Sequence, residues 1–393
     1  MALKFTSFAS ALLLLLNKSS TVASASIDIH ETNALHLKEK ESSSRHTSAS
    51  TSTDTDRRSA ATGKRLRNAK SSSTETRDLY STGETAIINN GLIMLGIHNE
   101  GHLNAPGGTP DAHEGETTVG LRFFRDNGWW ESTAFGCECE GFGVSGKRMS
   151  SGYEFYGGSH GGNGVSNLVG SEIMHDGVSA TTSAVTGGNE LRVTHTFTPS
   201  SHSKNLYQVT VTLENLMMET ITDLRYRRVI DWDIPTTIFS ECVSTFFPST
   251  PDALEYATDD GFEAVNPLVD VSSSGIVFSC PHGGVGCPIY DSGPADHGAL
   301  FQFLFKNDDG IHPRQLAPGE TFSFDIFFGA ANNKEEAYSA LSDVDAEIAS
   351  FGYPSTSGCD STADGGPNVF MMAFSGVGGS VSLLHICNMC VYS

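Results

Sequence analysis

The strongest constraint on the fold is a two-residue alternation that recurs along the chain. "ELRVTHTFTPS" sets Leu191, Val193, His195 and Phe197 against Arg192, Thr194, Thr196 and Thr198, and "LYQVTVTLEN" sets Tyr207, Val209, Val211 and Leu213 against Gln208, Thr210, Thr212 and Glu214. Such segments form antiparallel strands with one dry and one wet face. "ALFQFLFKN" and "TFSFDIFFGA" repeat the pattern, and "TAIINNGLIMLGI" reads as a hairpin turning at Asn-Asn-Gly. One helix is expected, capped by Asn332 or Asn333, with Ala337, Leu341, Val344 and Ile348 on one face and Gly352 and Pro354 as its stop. Many short strands, Gly-rich loops and a single C-terminal helix predict a large all-β antiparallel sandwich.

That domain is expected over residues 79–380. Before it, residues 1–25 read as a signal peptide: Lys4, an apolar run to Leu16, and small residues at Ala23 and Ala25. Residues 26–78 are rich in Ser, Thr and charge and have little to bury, which predicts a disordered linker or pro-segment. Residues 381–393 form a tail of uncertain status. No later stretch is long and apolar enough to span a bilayer, so the expectation is a secreted, extracellular chain. The net charge of −22 excludes a nucleic-acid partner on electrostatic grounds and suits carbohydrate, a cell-surface protein or cations.

Eight cysteines in an exported chain read as disulfides. Cys280 and Cys287 bracket a short Gly-rich loop and are the expected pair. Cys137 and Cys139, two apart on an extended strand, would point the same way and not bond each other; Cys242 and Cys359 remain open as their partners. The closing "CNMC" alone does not make a zinc site.

"LRYRRVIDWDI", residues 224–234, carries the main candidates. Leu224, Tyr226, Arg228, Ile230, Trp232 and Ile234 share one face of a strand, so Arg228 stands on an otherwise apolar face. A buried guanidinium needs a carboxylate; Asp296, Glu140 and Asp291 are the candidates. The pair is either a structural pin or an anion clamp. Asp231 and Asp233 share the opposite face, about 7 Å apart by strand rise, either as solvated partners of Arg225 and Arg227 or as an acid pair. "DSGPADHGALF" places Asp296 and His297 at the entrance to a strand, where turn bonding competes with a ligand or acid–base role, alone or with His98 and His102. Glu138 and Glu140 flank Cys139. The turns "TDDGF" at 258 and "NDDGI" at 307 are where calcium would sit, although neither has EF-hand spacing, and no motif demands another cofactor.

Several stretches resemble an uncharacterised all-β domain of exported bacterial proteins, which often end in a sorting signal: "NEGHLNAPGG", "GCECEGFGV", "NLYQVTVTLEN", "DLRYRRVIDWDIPTTIFSE", "DSGPADHGALF", "LAPGETFSFDIFFGAA" and "PNVFMMAFSGVGG". The resemblance runs from about residue 83 to 379 and implies a shared exported β domain. It carries over no activity and no catalytic residue, and the C-terminal sequence departs from it by lacking a sorting tail. The expected function is a non-catalytic surface or matrix protein that binds carbohydrate or a partner protein through Arg228, Trp232, Asp296 and His297. The alternatives are a carbohydrate-active enzyme, epimerase or glycosidase, using Asp231, Asp233, Asp296 and His297 beside Trp129, Trp130 or Trp232, and a purely structural wall component.

Overall fold

Alternating and apolar strands assemble into three antiparallel sheets in the computed structural model, which describes residues 81–248, 251–271, 289–360 and 362–378. The ten-stranded sheet runs, edge to edge, through Ser81–Gly83, Leu168–His175, Ala180–Thr186, Leu191–Pro199, Leu206–Asn215, Thr321–Ala331, Val369–Ser375, Ile348–Tyr353, Glu241–Phe246 and Tyr290–Ala295. The six-stranded sheet runs through Leu254–Thr258, Gly298–Leu304, Ile221–Asp231, Glu140–Arg148, Glu154–His160 and Gly164–Ser166. The third is a meander of Thr85–Asn89, Ile93–His98, Leu121–Arg125 and Gly128–Glu131.

The two large sheets face each other through rings drawn from the dry faces of their strands. Phe142 meets His195 at 4.5 Å, Tyr226 meets Phe324 at 4.9 Å, and Phe374 lies 5.0 Å from Phe303 and 5.4 Å from Phe301. Phe123 of the meander reaches Phe370 edge-on, which joins the third sheet to the same core. Full burial of a large apolar side chain stabilises by roughly 1.5–3 kcal/mol, so this shared core is what fixes the strand register. The all-β sandwich-like class is therefore the observed one.

The helix differs from its expected extent. It covers Lys334–Ser342, and Asn333 caps it by accepting the Glu336 N–H. Ile348, expected on its face, instead begins the strand Ile348–Tyr353, because Asp345 adopts a left-handed φ of 50° and the next residues pair with Glu241–Phe246 and Val369–Ser375. Tertiary pairing overrides the helical spacing.

The cysteines also need correcting. Cys137 and Cys139 lie at disulfide distance from each other, with Cα atoms 5.1 Å apart. Glu138 between them has φ 52°, so the chain turns there instead of extending, and the premise of a straight strand fails. Cys242 pairs with Cys359, 117 residues on. Cys280, Cys287, residues 1–78 and the tail 381–393 lie outside the described residues. Among the described residues, no helix is long and apolar enough to cross a membrane.

Candidate functional site

Strand Ile221–Asp231 is central in its sheet, flanked by Gly298–Leu304 and Glu140–Arg148, and this decides the fate of both of its faces. On the first face Arg228 is fully buried, and of the three candidate carboxylates its partner is Glu140. Arg228 lies opposite Phe142, so Glu140 is its diagonal cross-strand neighbour. The guanidinium is completed by the Gly101 carbonyl at 3.3 Å and the Tyr226 hydroxyl at 3.3 Å, with the Phe328 ring 5.3 Å away. The second carboxylate oxygen of Glu140 accepts the Leu103 N–H at 2.6 Å. Burial pushes the Glu140 carboxyl above its ordinary value, and Arg228 opposes that shift. Trp232 is likewise fully buried, its indole N–H donating to Ser350 Oγ at 3.1 Å. Both Arg228 and Trp232 thus lie away from any surface ligand.

On the second face the expectation of a solvated acid pair fails. Asp231 is 2% exposed and Asp233 0%. Neither faces an arginine: Arg225 pairs with Glu255 at 2.9 Å, and Arg227 is spent on Gln302, Ala264 O and Val269 O at 2.6–2.7 Å. The backbone from 231 to 233 is held by three separate segments, with Asp231 N–H on Cys139 O, Trp232 N–H on His297 O and Asp233 N–H on Ser132 O. Gly298 permits this convergence, since a Cβ there would stand 2.8 Å from the Asp231 Cα and 2.9 Å from the Gly261 Cα.

These clamps bring Asp231, Asp233 and exposed Asp296 together, with one oxygen from each lying within 4.8 Å of the others. That is tighter than the span an inverting carboxylate pair leaves for its water, about 6.5–9.5 Å. Glu241 stands alongside, its oxygens accepting the His297 and Ser240 N–H groups, both at 3.1 Å. The "TDDGF" turn belongs to the same neighbourhood: Asp260 raises Asp231, and Asp259 lies 3.8 Å from His297 Nδ1. Burial first, then Asp296 and Asp260, push Asp231 up to about 8. Burial and then Asp231 and Glu241 push Asp233 up to about 10. Burial likewise raises Glu241 to about 8.

Donors are distributed unevenly among the buried acids. Glu131 receives Arg122 Nε at 2.8 Å and the N–H groups of Gly120, Ser132 and Thr133. By contrast, both oxygens of Asp233 and Oδ1 of Asp231 have no hydrogen-bond partner, and among the described residues they are the only such buried carboxylate oxygens. The other Asp231 oxygen lies 3.5 Å from the Cys137 sulfur. A disulfide sulfur has no proton to give, so the donor left to that carboxylate is the Trp232 backbone N–H, which partly offsets the upward shift.

Two exposed aromatics belong to segments that adjoin the residues holding the cluster. Phe239 is 50% exposed, has a left-handed φ of 64° and lies against Gly136, next to the Cys137–Cys139 pair. Phe262 is 43% exposed and follows the Asp260–Gly261 turn. An aromatic side chain held out to solvent in a disfavoured backbone region is the kind of feature that clusters at binding sites. Farther along the hairpin that leads to Ser132, Phe124 and Trp129 meet at 5.1 Å, while Trp130 is covered by Arg125 at 4.0 Å.

Of the remaining candidates, His297 borders this cluster and the others bond elsewhere. His98 and His102 stack on each other at 4.2 Å and bond to Asn104 O and Ser159 Oγ, and Glu138 receives Thr118 Oγ1. His297 sits with Glu241, its Nε2 3.3 Å from the Glu241 carbonyl, and Asp291 takes the Ser244 hydroxyl. The "NDDGI" turn satisfies itself, Asp309 accepting from Ile311 N–H and His312 N–H. Sequence reasoning missed Glu241, Phe239 and the buried Arg122–Glu131 pair. Only the last had a readable signal, the hairpin register across Asp126–Asn127 that sets Arg122 opposite Glu131. The sequence matches no protein-family model and no curated protein.

Proposed function

We propose that this chain is an exported, non-catalytic binding protein of the cell surface or extracellular matrix that takes carbohydrate at the acid cluster. The observation that carries the reading is the acid cluster with its exposed Asp296, together with exposed Phe239, which lies against Gly136 next to the Cys137–Cys139 pair, and exposed Phe262, which follows the Asp260–Gly261 turn. Sugars are bound by apolar ring faces stacking on aromatics while a few fixed acceptors orient the hydroxyls. Export rests on the Lys4-to-Ala25 pattern and on two cysteine pairs at disulfide distance. The resemblance to the exported bacterial β domain points the same way.

One observation favours a carbohydrate-active enzyme as a second reading. Asp231, raised to about 8, stands beside exposed Asp296, and a protonated acid next to a carboxylate is the division of labour glycosidases use. Against it, Asp233 is wholly enclosed and Asp231 nearly so, which keeps a sugar from touching two acids at once.

The test is a glycan array probed with the secreted chain and its Phe239→Ala variant. Selective glycan binding that falls at least tenfold in the variant supports the binding reading, and release of a hydrolysed or epimerised product from a bound glycan moves the assignment to an enzyme. Silence of the wild-type protein on the array, with its fold intact, overturns both.

A further inference from the structure

We infer that Asp231, Asp233 and Asp296 hold one divalent cation, calcium by the chemistry of the donors. The acidic cluster alone would not carry this. The second observation is that Asp233, with no exposed surface, has two oxygens without any hydrogen-bond partner and presents one of them to the cluster, while Asp231 carries a further unpartnered oxygen. Elsewhere the fold supplies donors to its buried acids, as at Glu131, Glu140 and Glu241. A buried carboxylate left without donors costs several kcal/mol, and a cation is the partner that would remove that cost for Asp231 and Asp233 at once.

The spacing agrees. Calcium binds oxygen at about 2.3–2.6 Å, so ligands on opposite sides of one ion stand about 4.6–5.2 Å apart. The three aspartates offer oxygens within 4.8 Å of one another. The donor set is all oxygen: the nearby Cys137 and Cys139 are paired with each other and offer no thiolate, which argues against zinc. Asp296 is exposed, so an ion held there would have coordination positions open on that side to water or to the hydroxyls of a ligand. Such an ion would tie the loop at Asp296 to the end of strand Ile221–Asp231. The inference stands on the cluster itself and not on the carbohydrate reading, so calcium binding without glycan binding would overturn that reading alone.

The experiment is a calorimetric titration of the full secreted chain, stripped with chelator, using calcium chloride and separately magnesium chloride. Thermal unfolding is followed in calcium and in chelator. The expected result is one calcium per chain, a melting temperature raised by calcium, and weaker binding of magnesium. Asp233→Asn and Asp296→Asn should each weaken calcium binding at least tenfold and abolish the calcium-dependent rise in melting temperature, whereas Asp309→Asn in the self-satisfied turn should leave both intact. Should Asp233→Asn fold poorly, Asp296→Asn at the exposed position decides alone. Absence of calcium binding at millimolar concentration overturns the inference, as does binding that both aspartate variants retain or that Asp309→Asn removes.

Discussion

Replacing Glu140 with glutamine tests how the centre of this sandwich is held. Glu140 and Arg228 are both fully enclosed, and each Glu140 oxygen has one donor: Arg228 on one side, the Leu103 N–H on the other. Glutamine has one acceptor and one donor at its end, so one of those two donors must face an NH2 group, and the guanidinium loses its counter-charge. Breaking a buried ion pair by removing one partner costs about 3–5 kcal/mol. Arg228 is left with neutral acceptors alone, the Gly101 carbonyl, the Tyr226 hydroxyl and at best the amide oxygen, which cannot replace a carboxylate. With a urea slope near 3 kcal/mol per molar, the unfolding midpoint should fall by roughly 1–1.7 M. The double variant Glu140→Met with Arg228→Met should lose less than the single one, because no unpaired charge remains. A loss below about 1 kcal/mol for Glu140→Gln, or strict additivity of the two sites, would refute the claim that the pair is dry and mutually dependent.

Three further outcomes follow from the same geometry. Removing the Cys242–Cys359 link, which closes a loop with a sequence separation of 117, should lower stability by about 4–5 kcal/mol in the chain-entropy treatment, read by urea unfolding of the double alanine variant. Gly352 faces Trp232, and a Cβ there would stand 2.6 Å from the indole; Gly352→Ala should cost about 1–3 kcal/mol by overpacking and alter the near-ultraviolet signal of Trp232. Burial pushes His160 down to about 4, so its neutral ring stabilises the fold above the unfolded value of 6.5, and that stability is lost as pH falls through 4. Relative to His160→Asn, the wild-type protein should therefore lose up to about 3 kcal/mol between pH 6.5 and 4, and a pH-independent difference between the two would contradict a buried neutral ring.

Local pattern made the strands, the Asn-Asn-Gly hairpin and the odd position of Arg228 readable, since a two-residue period needs no knowledge of the partner strand. The choice of Glu140 over Asp296 and Asp291 was not readable. It depends on a register shift between Thr222 and Arg225, which sets Arg228 opposite Phe142. Asp231 and Asp233 were recognised as neighbours but read as wet, because what buries that face comes from distant segments: the turn at Gly261, the Gly298 backbone and the Cys139 loop. Trp232 is expected as a binding residue, yet just past the end of the central strand Ile221–Asp231 its ring is fully buried and its indole N–H bonds Ser350. Glu241 and Phe239 carry no local signal, and only the convergence of chain segments brings Glu241 to the acids and Phe239 to Gly136.

The acid cluster is most directly tested by crystals of the purified protein grown in calcium and exchanged with a lanthanide, with the anomalous difference map read at the three aspartates. A single ion should appear within about 2.3–2.6 Å of oxygens from Asp231, Asp233 and Asp296. A map with no ion there, in which the three carboxyls share protons with one another or with water, would contradict the cation site, and an ion bound only at the exposed acidic turns would contradict it as well.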